Sequence, residues 1–133
     1  MIDVENKIFK IVYDAVMQYD DSIHLSSSVE SVPAAFPSVY VVERGNSAPE
    51  RFRTSSRIET YAEINTEITI SSNKAEGRKA EIKPIFSVID DALRAAGLRR
   101  TSDRYFYPAD SITQRTAVYE CLADADGNLY AAR

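Results

Sequence analysis

The chain has 133 residues, of which 44% are hydrophobic and 27% are charged, and its formal net charge is −4. A chain of that length is expected to form one domain around a single core, and no apolar run approaches the roughly 18 residues of a membrane helix. The acidic balance argues against non-specific nucleic-acid binding, and the lone cysteine, Cys121, cannot form an internal disulfide and fits a reducing cytosol.

The first predicted element is a helix over residues 3–19, and the charged start of the chain does not have the pattern of a signal peptide. Asp3 has the side chain of an N-cap, and the acidic pair Asp20–Asp21 disfavours a longer helix. Apolar residues recur at intervals of three and four, which places them on one helix face: Val4, Ile8, Ile11, Val12, Ala15, Val16 and Tyr19.

Two strands and a polar loop are predicted next. Residues 22–31 are serine-rich and weakly patterned, whereas residues 39–43 form a dense β-branched run. Residues 45–56 have no periodicity, and this stretch is interpreted either as a solvated loop or as a contact arm that orders on a partner. The arm would carry three arginines, Arg51, Arg53 and Arg57.

The centre of the chain is a long strand that leads into a long helix. From residue 59 to 71 apolar and polar residues alternate, as in a half-buried strand. Over residues 75–97 the apolar spacing changes to three and four, and Gly97 has the position of a helix-ending glycine. Pro84 lies inside this pattern, so the helix begins either just before the proline or near residue 75 with a bend; we favour the earlier start.

Three further strands are predicted, at residues 98–108, 114–123 and 129–132, and the turn Asp126–Gly127 joins the last two in a hairpin over residues 114–132. The order is α-β-β-β-α-β-β-β. The sequence therefore predicts a single α+β domain over residues 1–133, with a mostly antiparallel sheet of five to six strands packed by two helices.

Candidate catalytic and metal-binding residues are few. His24, the only histidine, has no motif around it that supplies a nucleophile and an orienting carboxylate. Cys121 lies mid-strand, where a small buried hydrophobe is expected. The stretch Asp124–Asn128 contains part of a calcium loop but lacks the rest, so a turn is the better interpretation. The sequence predicts no enzyme, no cofactor and no metal.

Carboxylates on the long strand are candidates for a partner-facing surface. Glu59, Glu63 and Glu67 share one strand face, with neighbours about 13 Å apart along the strand. That separation is too large for a paired-carboxylate active site, so the face is interpreted as solvated or as a contact with a partner.

Arginine outnumbers lysine eleven to five, and four arginines gather around the end of the second helix, Arg94, Arg99, Arg100 and Arg104. Arginine is enriched at interfaces, where lysine is depleted; a solvated rim and an interface both remain open, and DNA contact is a weaker third reading. The candidate contact residues are Arg51, Arg53, Arg57, Glu63, Glu67, Arg99 and Arg100.

The order and length of the elements resemble a known family. The resemblance rests on Phe36-Pro37-Ser38-Val39-Tyr40, on the helix end Val88-Ile89-Asp90-Asp91-Ala92-Leu93 with Gly97-Leu98-Arg99-Arg100, on an aromatic-proline segment, on Arg115 with Tyr119, and on Asp126-Gly127 with Tyr130. In these features nearly the whole chain resembles the tail-terminator, or tail-completion, proteins of long-tailed (siphovirus-type) bacteriophages.

The resemblance implies an α/β fold and a structural role with no catalytic residues. Such proteins assemble as a ring, typically a hexamer, on the last ring of tail-tube subunits, stop further tube growth, and present the surface that docks to the head connector. The implied partners are copies of the same chain, the tail-tube protein and the head-tail connector proteins, with no membrane and with DNA at most passing through the ring lumen. The implied location is the host bacterial cytoplasm during assembly and then the head-tail junction of the virion.

Three other functions remain open at this point. A head-closure or neck adaptor, or another minor tail component, would belong to the same setting. A small intracellular protein-binding module is the second alternative. A small enzyme is the third, although the sequence lacks any constellation of acid, base and nucleophile.

Overall fold

The computed structural model describes residues 2–27, 35–47 and 61–131. Within these residues the element order is the predicted α-β-β-β-α-β-β-β. The elements are the helices α1 (Glu5–Tyr19) and α2 (Arg78–Ala95) and the strands β1 (His24–Ser26), β2 (Ser38–Ser47), β3 (Tyr61–Ser72), β4 (Arg99–Ala109), β5 (Ile112–Asp124) and β6 (Leu129–Ala131).

The strands form one six-stranded sheet in the order β1-β2-β3-β5-β4, and β6 pairs with the end of β5 beyond β4. Every pairing is antiparallel except that of β1 with β2, which is parallel. The predicted α+β class with a mostly antiparallel sheet is therefore confirmed.

The core lies between one face of the sheet, here called the inner face, and the two helices. The β3 residues Ala62, Ile64, Ile68 and Ile70 are all buried on this face, as their alternation predicts. They belong to one cluster with the buried residues of both helices, Ile8, Val12, Val16, Ile82, Ile85, Phe86, Ile89 and Leu93. The opposite, outer face of the sheet carries the other alternation set, which includes the glutamates of β3.

Helix α1 begins at Glu5, two residues later than predicted. Val4 occupies the cap position, and Asp3 accepts the N–H of Glu5 at 3.1 Å, so it supports the first turn from one residue further out. The helix ends at Tyr19 as predicted. Asp20 then accepts hydrogen bonds from the N–H and the hydroxyl of Ser22, at 3.0 and 2.7 Å.

Helix α2 begins at Arg78, three residues after the predicted start near residue 75. Gly77 precedes it with a φ of 75°, a left-handed conformation that glycine adopts without strain. The Nε of Arg78 donates to Thr113 at 2.9 Å, and the hydroxyl of Ser72 donates to Glu81 at 2.7 Å. The first turn is thereby tied to β3 and β5.

Pro84 lies inside α2, so the alternative of a helix that begins just before the proline is wrong. Pro84 and Ala80 are both solvent-exposed. The carbonyl of Ala80 receives no hydrogen bond from Pro84, which has no N–H, but it can bind water instead. The proline therefore costs the helix little free energy.

The end of α2 is a complete Schellman motif. Gly97 has a φ of 102°. Its N–H donates to the carbonyl of Arg94 at 3.1 Å, and the N–H of Leu98 donates to the carbonyl of Leu93 at 3.0 Å. Leu93 and Leu98 are both buried in the core, which completes the motif with its usual apolar residues. The prediction that Gly97 ends the helix is confirmed.

Two predicted boundaries near β2 are wrong. β2 continues to Ser47 through a register shift between Glu43 and Gly45, so residues 45–47 of the predicted loop are strand and residues 48–56 lie outside the described residues. β1 covers only His24–Ser26 of the predicted residues 22–31, because the turn at Asp20 holds Ser22 out of the strand; residues 28–31 lie outside the described residues.

The hairpin between β5 and β6 is formed as predicted. Gly127 has a φ of 83°, its N–H donates to the carbonyl of Asp124 at 3.0 Å, and the N–H of Asp124 donates to the carbonyl of Asn128 at 3.0 Å. The Asp124 carboxylate accepts the N–H groups of Asp126 and Asn128 and the hydroxyl of Tyr130. These bonds lower the pKa of Asp124 and confirm the turn interpretation of this acidic stretch.

Candidate subunit-contact surface

Strand β4 is exposed on both of its faces. Of its 11 residues only Tyr105 is half-buried, and the others are exposed. The strand lies at the edge of the sheet, with β5 on one side and no strand of the described residues on the other. Two aromatic side chains on it are open to solvent, Phe106 at 42% and Tyr107 at 61% exposure. Exposed aromatic residues of this kind are typical of protein contact surfaces.

The backbone of β4 is poorly suited to pairing with a further strand. Its register against β5 shifts between Arg100 and Ser102 and again between Phe106 and Ala109. Pro108, in the second of these irregular stretches, has no N–H to donate. Bulges, proline and charged residues are the features with which edge strands avoid edge-to-edge pairing. A partner that binds β4 is therefore expected to contact its side chains.

A buried carboxylate anchors the start of β4 to the helix layer. Asp90 of α2 is 8% exposed, and its Oδ1 accepts the hydroxyl of Tyr119 at 2.6 Å and an Nη of Arg100 at 3.1 Å. Burial, and then the adjacent carboxylate, raise the pKa of Tyr119. Arg94 reaches the other oxygen of Asp90 at 3.7 Å. Arg100 is thus part of an internal network that joins α2, β4 and β5.

A second network anchors the middle of β4 on the inner face. Arg115 of β5 donates two hydrogen bonds to Asp103, at 2.9 and 2.7 Å, in the bidentate geometry that strengthens such pairs. Its guanidinium lies 3.6 Å from the ring centroid of Phe86 and 5.3 Å from that of Tyr105. The hydrogen bond from Arg115 holds the pKa of Asp103 below its usual range. The inner side of β4 is therefore fixed to both β5 and α2.

The outer side of β4 is bonded less completely. Arg99 pairs with Glu120 of β5 at 2.6 Å. Arg104 lies with its guanidinium 5.5 Å from the ring centroid of Phe106, and no acidic residue of the described ranges forms an ion pair with it. Arg104 and Phe106 share this side because they face Thr116 and Gln114, whose side chains lie on the outer face. Tyr107 lies instead toward α2, where the Nζ of Lys79 is 4.7 Å from the ring centroid of Tyr105 and 5.7 Å from that of Tyr107. We call the two exposed outer-side residues Arg104 and Phe106 the β4 ridge.

The helix layer has shallow grooves on its surface. One, which we call the helix groove, lies between α1 and α2, has a volume of about 340 Å³, and is lined by Ala15, Gln18, Tyr19, Val88, Asp91 and Ala92. A second, of about 360 Å³, is lined by three arginines together with Gly97 and Leu98. A third, of about 580 Å³, lies between the end of α1 and the start of α2.

The predicted contact residues fall into three groups. Arg99 and Arg100 lie together at the start of β4, and both are bonded to acidic residues of the chain. Glu63 and Glu67 lie on the outer face of β3, both half-buried, and Glu67 is bonded to Arg44 of β2. Arg99 shares the outer face of the sheet with Glu63 and Glu67 but is separated from them by β5, whereas Arg100 lies on the inner face. Three predicted arginines, Arg51, Arg53 and Arg57, and Glu59 lie outside the described residues.

Two side chains with reactive groups, Cys121 and His24, lie in strands of the described residues. Cys121 is fully buried, and burial raises the pKa of its thiol to about 11. His24 is half-buried in β1. Over the described ranges no group of three or more His, Cys, Asp or Glu side chains is placed to hold a metal ion. No helix of the described residues has the length and apolar character needed to cross a membrane.

Sequence reasoning missed the residues that distinguish β4. The run Tyr105-Phe106-Tyr107 has no alternation, so it indicates a strand but not which side is buried. The sequence feature that could have indicated an exposed edge strand is this aromatic run, which is followed by a proline and preceded by arginines. The helix groove had no signal at all, because it depends on how α1 and α2 pack.

The chain matches no protein-family model, and it matches no curated protein. Its own residues are therefore the evidence for its function. The most distinctive of them form the exposed, internally anchored edge strand β4.

Proposed function

We propose that this chain is a structural subunit of a bacteriophage or prophage tail. Copies of it close into a ring on the end of the tail tube, stop the polymerisation of the tube, and provide the docking surface for the head connector. Its partners are other copies of itself, the tail-tube protein and the head-tail connector proteins. It acts in the host bacterial cytoplasm during assembly and then at the head-tail junction of the virion.

The observation that carries the proposal is β4. A strand of 11 residues with ten of them exposed adds little burial to the core, yet two ion-pair networks, through Asp90 and Arg115, hold it in place. A rigid, exposed surface with aromatic and arginine side chains has the composition of the centre of a protein interface. A ring subunit needs such a surface on each side.

The outer face of the sheet supports the same proposal. It carries acidic and basic side chains in pairs, with Glu67 bonded to Arg44 and Glu120 bonded to Arg99. A polar, evenly charged sheet face of this kind suits the lumen of a ring or a contact that sets register through complementary charge.

The test is deletion of the gene from the phage or prophage that carries it, followed by electron microscopy of the particles. We expect tail tubes that are longer than normal and lack heads. Tails of normal length that are detached from heads would support a neck adaptor instead. Normal, infectious particles would contradict both roles and favour an intracellular binding module.

The control is complementation from a plasmid. The intact gene is expected to restore tail length, whereas a copy with a stop codon after residue 98, which removes β4 to β6, is not. A second copy with Asp126→Arg, a charge reversal in the exposed β5–β6 turn, is expected to complement fully.

A further inference from the structure

A closed ring of identical subunits needs two different, complementary surfaces on each subunit. The described residues offer a projecting surface and a concave one. The projecting surface is the β4 ridge, Arg104 and Phe106, at the edge of the sheet. The concave surface is the helix groove, which lies on the helix layer, away from that edge.

The ridge is suited to insertion of its side chains. The two register shifts and Pro108 disfavour addition of a further strand to β4. Phe106 instead presents 42% of its surface to solvent. Burial of such aromatic side chains in a partner's groove is the usual source of energy at protein interfaces.

The helix groove fits that ridge in both shape and charge. Its lining is largely apolar or aromatic, from Ala15, Tyr19, Val88 and Ala92, and its volume of about 340 Å³ is enough for a phenylalanine side chain. Its one ionised residue is Asp91, which is exposed and has no ion pair with a cation of the described residues. Arg104 on the ridge likewise has no acidic partner there, so the two charges are complementary.

The other two grooves fit less well. The groove of about 360 Å³ is lined by Arg94, Arg99 and Arg100 and would repel Arg104. The groove of about 580 Å³ is more polar. Of its three carboxylates, Asp20 and Glu81 already accept hydrogen bonds within the chain, and Glu76 shares the lining with Lys74, whose charge would repel Arg104.

We propose that the β4 ridge of one copy docks into the helix groove of the next copy, with Phe106 between α1 and α2 and Arg104 paired with Asp91 of the partner subunit. This inference rests on the proposed ring function and names its subunit contact. The contact is heterologous, because ridge and groove are different surfaces of the same chain, and so it can propagate around a ring.

The first experiment is charge reversal. Arg104→Asp and Asp91→Arg are each expected to weaken self-association more than about tenfold, because each places like charges together. The double variant restores the pair with its signs exchanged and is expected to recover most of the association. Asp126→Arg is the matched control and is expected to leave association unchanged. Sedimentation velocity of the purified variants measures this.

The second experiment is cross-linking, and it also reports on copies that associate only on the tail tube. A variant with Phe106→Cys and Ala92→Cys is oxidised both as purified protein and in assembled particles. We expect a ladder of covalent oligomers, none with either single variant, and no interference from Cys121, which is fully buried. No ladder in either sample would overturn the proposed contact.

The two proposals fail in different ways. If gene deletion gives overlong tails but charge exchange and cross-linking have no effect, the ring function stands and this contact is wrong. If the ladder forms but deletion leaves tails normal, the contact is right and the chain self-associates for another purpose.

Discussion

Strands β3 and β4 have nearly the same length, 12 and 11 residues, but opposite environments. β3 lies in the middle of the sheet between β2 and β5 and contributes three fully buried isoleucines, Ile64, Ile68 and Ile70. β4 lies at the edge and contributes no fully buried residue. β4 is held by its backbone pairing with β5 and by a small number of charged hydrogen bonds, most of them on its inner side.

The difference separates the residues that stabilise the fold from those available to a partner. Substitution of a β3 core residue should act on the free energy of unfolding, whereas substitution on the ridge of β4 should act on association. The predictions below test that separation, beginning with the largest expected effect.

Ile68→Ala should destabilise the protein by about 2–5 kcal/mol, because it removes buried methyl groups from the centre of β3 and leaves a cavity. Urea unfolding followed by circular dichroism measures the change. Phe106→Ala in β4 is the matched comparison and should change the free energy of unfolding by no more than about 0.5 kcal/mol. Equal losses in the two variants would contradict the distinction between the strands.

Tyr119→Phe should destabilise the protein by about 1–3 kcal/mol, because it removes the 2.6 Å hydrogen bond to Asp90 and leaves a buried carboxylate oxygen short of a donor. Tyr130→Phe removes a tyrosine hydroxyl from a carboxylate at an exposed site, and its effect should be within about 0.5 kcal/mol. Thermal unfolding of both variants beside the wild type is the measurement. A larger loss in the Tyr130 variant would show that the Asp90 network does not anchor β4.

Glu43→Gln should stabilise the protein by about 1 kcal/mol at neutral pH. Glu43 of β2 has a buried Oε1 without a hydrogen-bond partner in the described residues, and burial, together with the carboxylates of Glu5 and Asp3, raises its pKa. Ionisation of Glu43 therefore costs stability as the pH rises through its folded-state pKa.

The effect of Glu43→Gln should consequently depend on pH. Because folding raises the pKa of Glu43, its protonated form stabilises the fold, and this contribution is complete below the unfolded-state pKa of about 4.3. The advantage of the glutamine variant should shrink as the pH falls through the folded-state pKa and should be absent in acid. Chemical denaturation at a series of pH values tests this, and a constant difference between the two proteins at all pH values would refute it.

Phe106→Ser should have the smallest effect on stability and a clear effect on association. Phe106 is 42% exposed, and Tyr13 of α1, at 46% exposure, is a matched aromatic residue outside both proposed contact surfaces. We expect both serine variants to unfold within about 0.5 kcal/mol of the wild type, and only the Phe106 variant to lose the larger species in sedimentation. Loss of association in the Tyr13 variant alone would place the contact on α1.

The sequence predicted those parts of the fold that depend on local pattern. The alternation of β3, the helical spacing of both helices, the glycine at the end of α2 and the Asp126–Gly127 turn each follow from residues close together in the chain. The start of α2 at Arg78 depends on hydrogen bonds to β3 and β5. The length of β2 depends on a bulge opposite Asn65. Neither leaves a local signal.

The candidate surface was predicted less well for the same reason. Arg99 and Arg100 drew attention as members of an arginine-rich stretch, yet Asp90 and Glu120, which neutralise them, are 10 and 21 residues away in sequence. Arg104 was part of the same stretch and is the member that has no acidic partner among the described residues. Composition identified the stretch, but only the pairing of β4 with β5 distinguishes its members.

The position of β5 also has a consequence for how the chain is made. β3 and β5 pair from Tyr61 with Asp124 to Ser72 with Thr113, so the apolar β3 cannot gain its second neighbour until residues up to 124 have left the ribosome. Until then its free edge is available to other nascent chains. A message truncated between α2 and β5 should therefore yield aggregates, whereas one truncated after β5 should yield soluble protein.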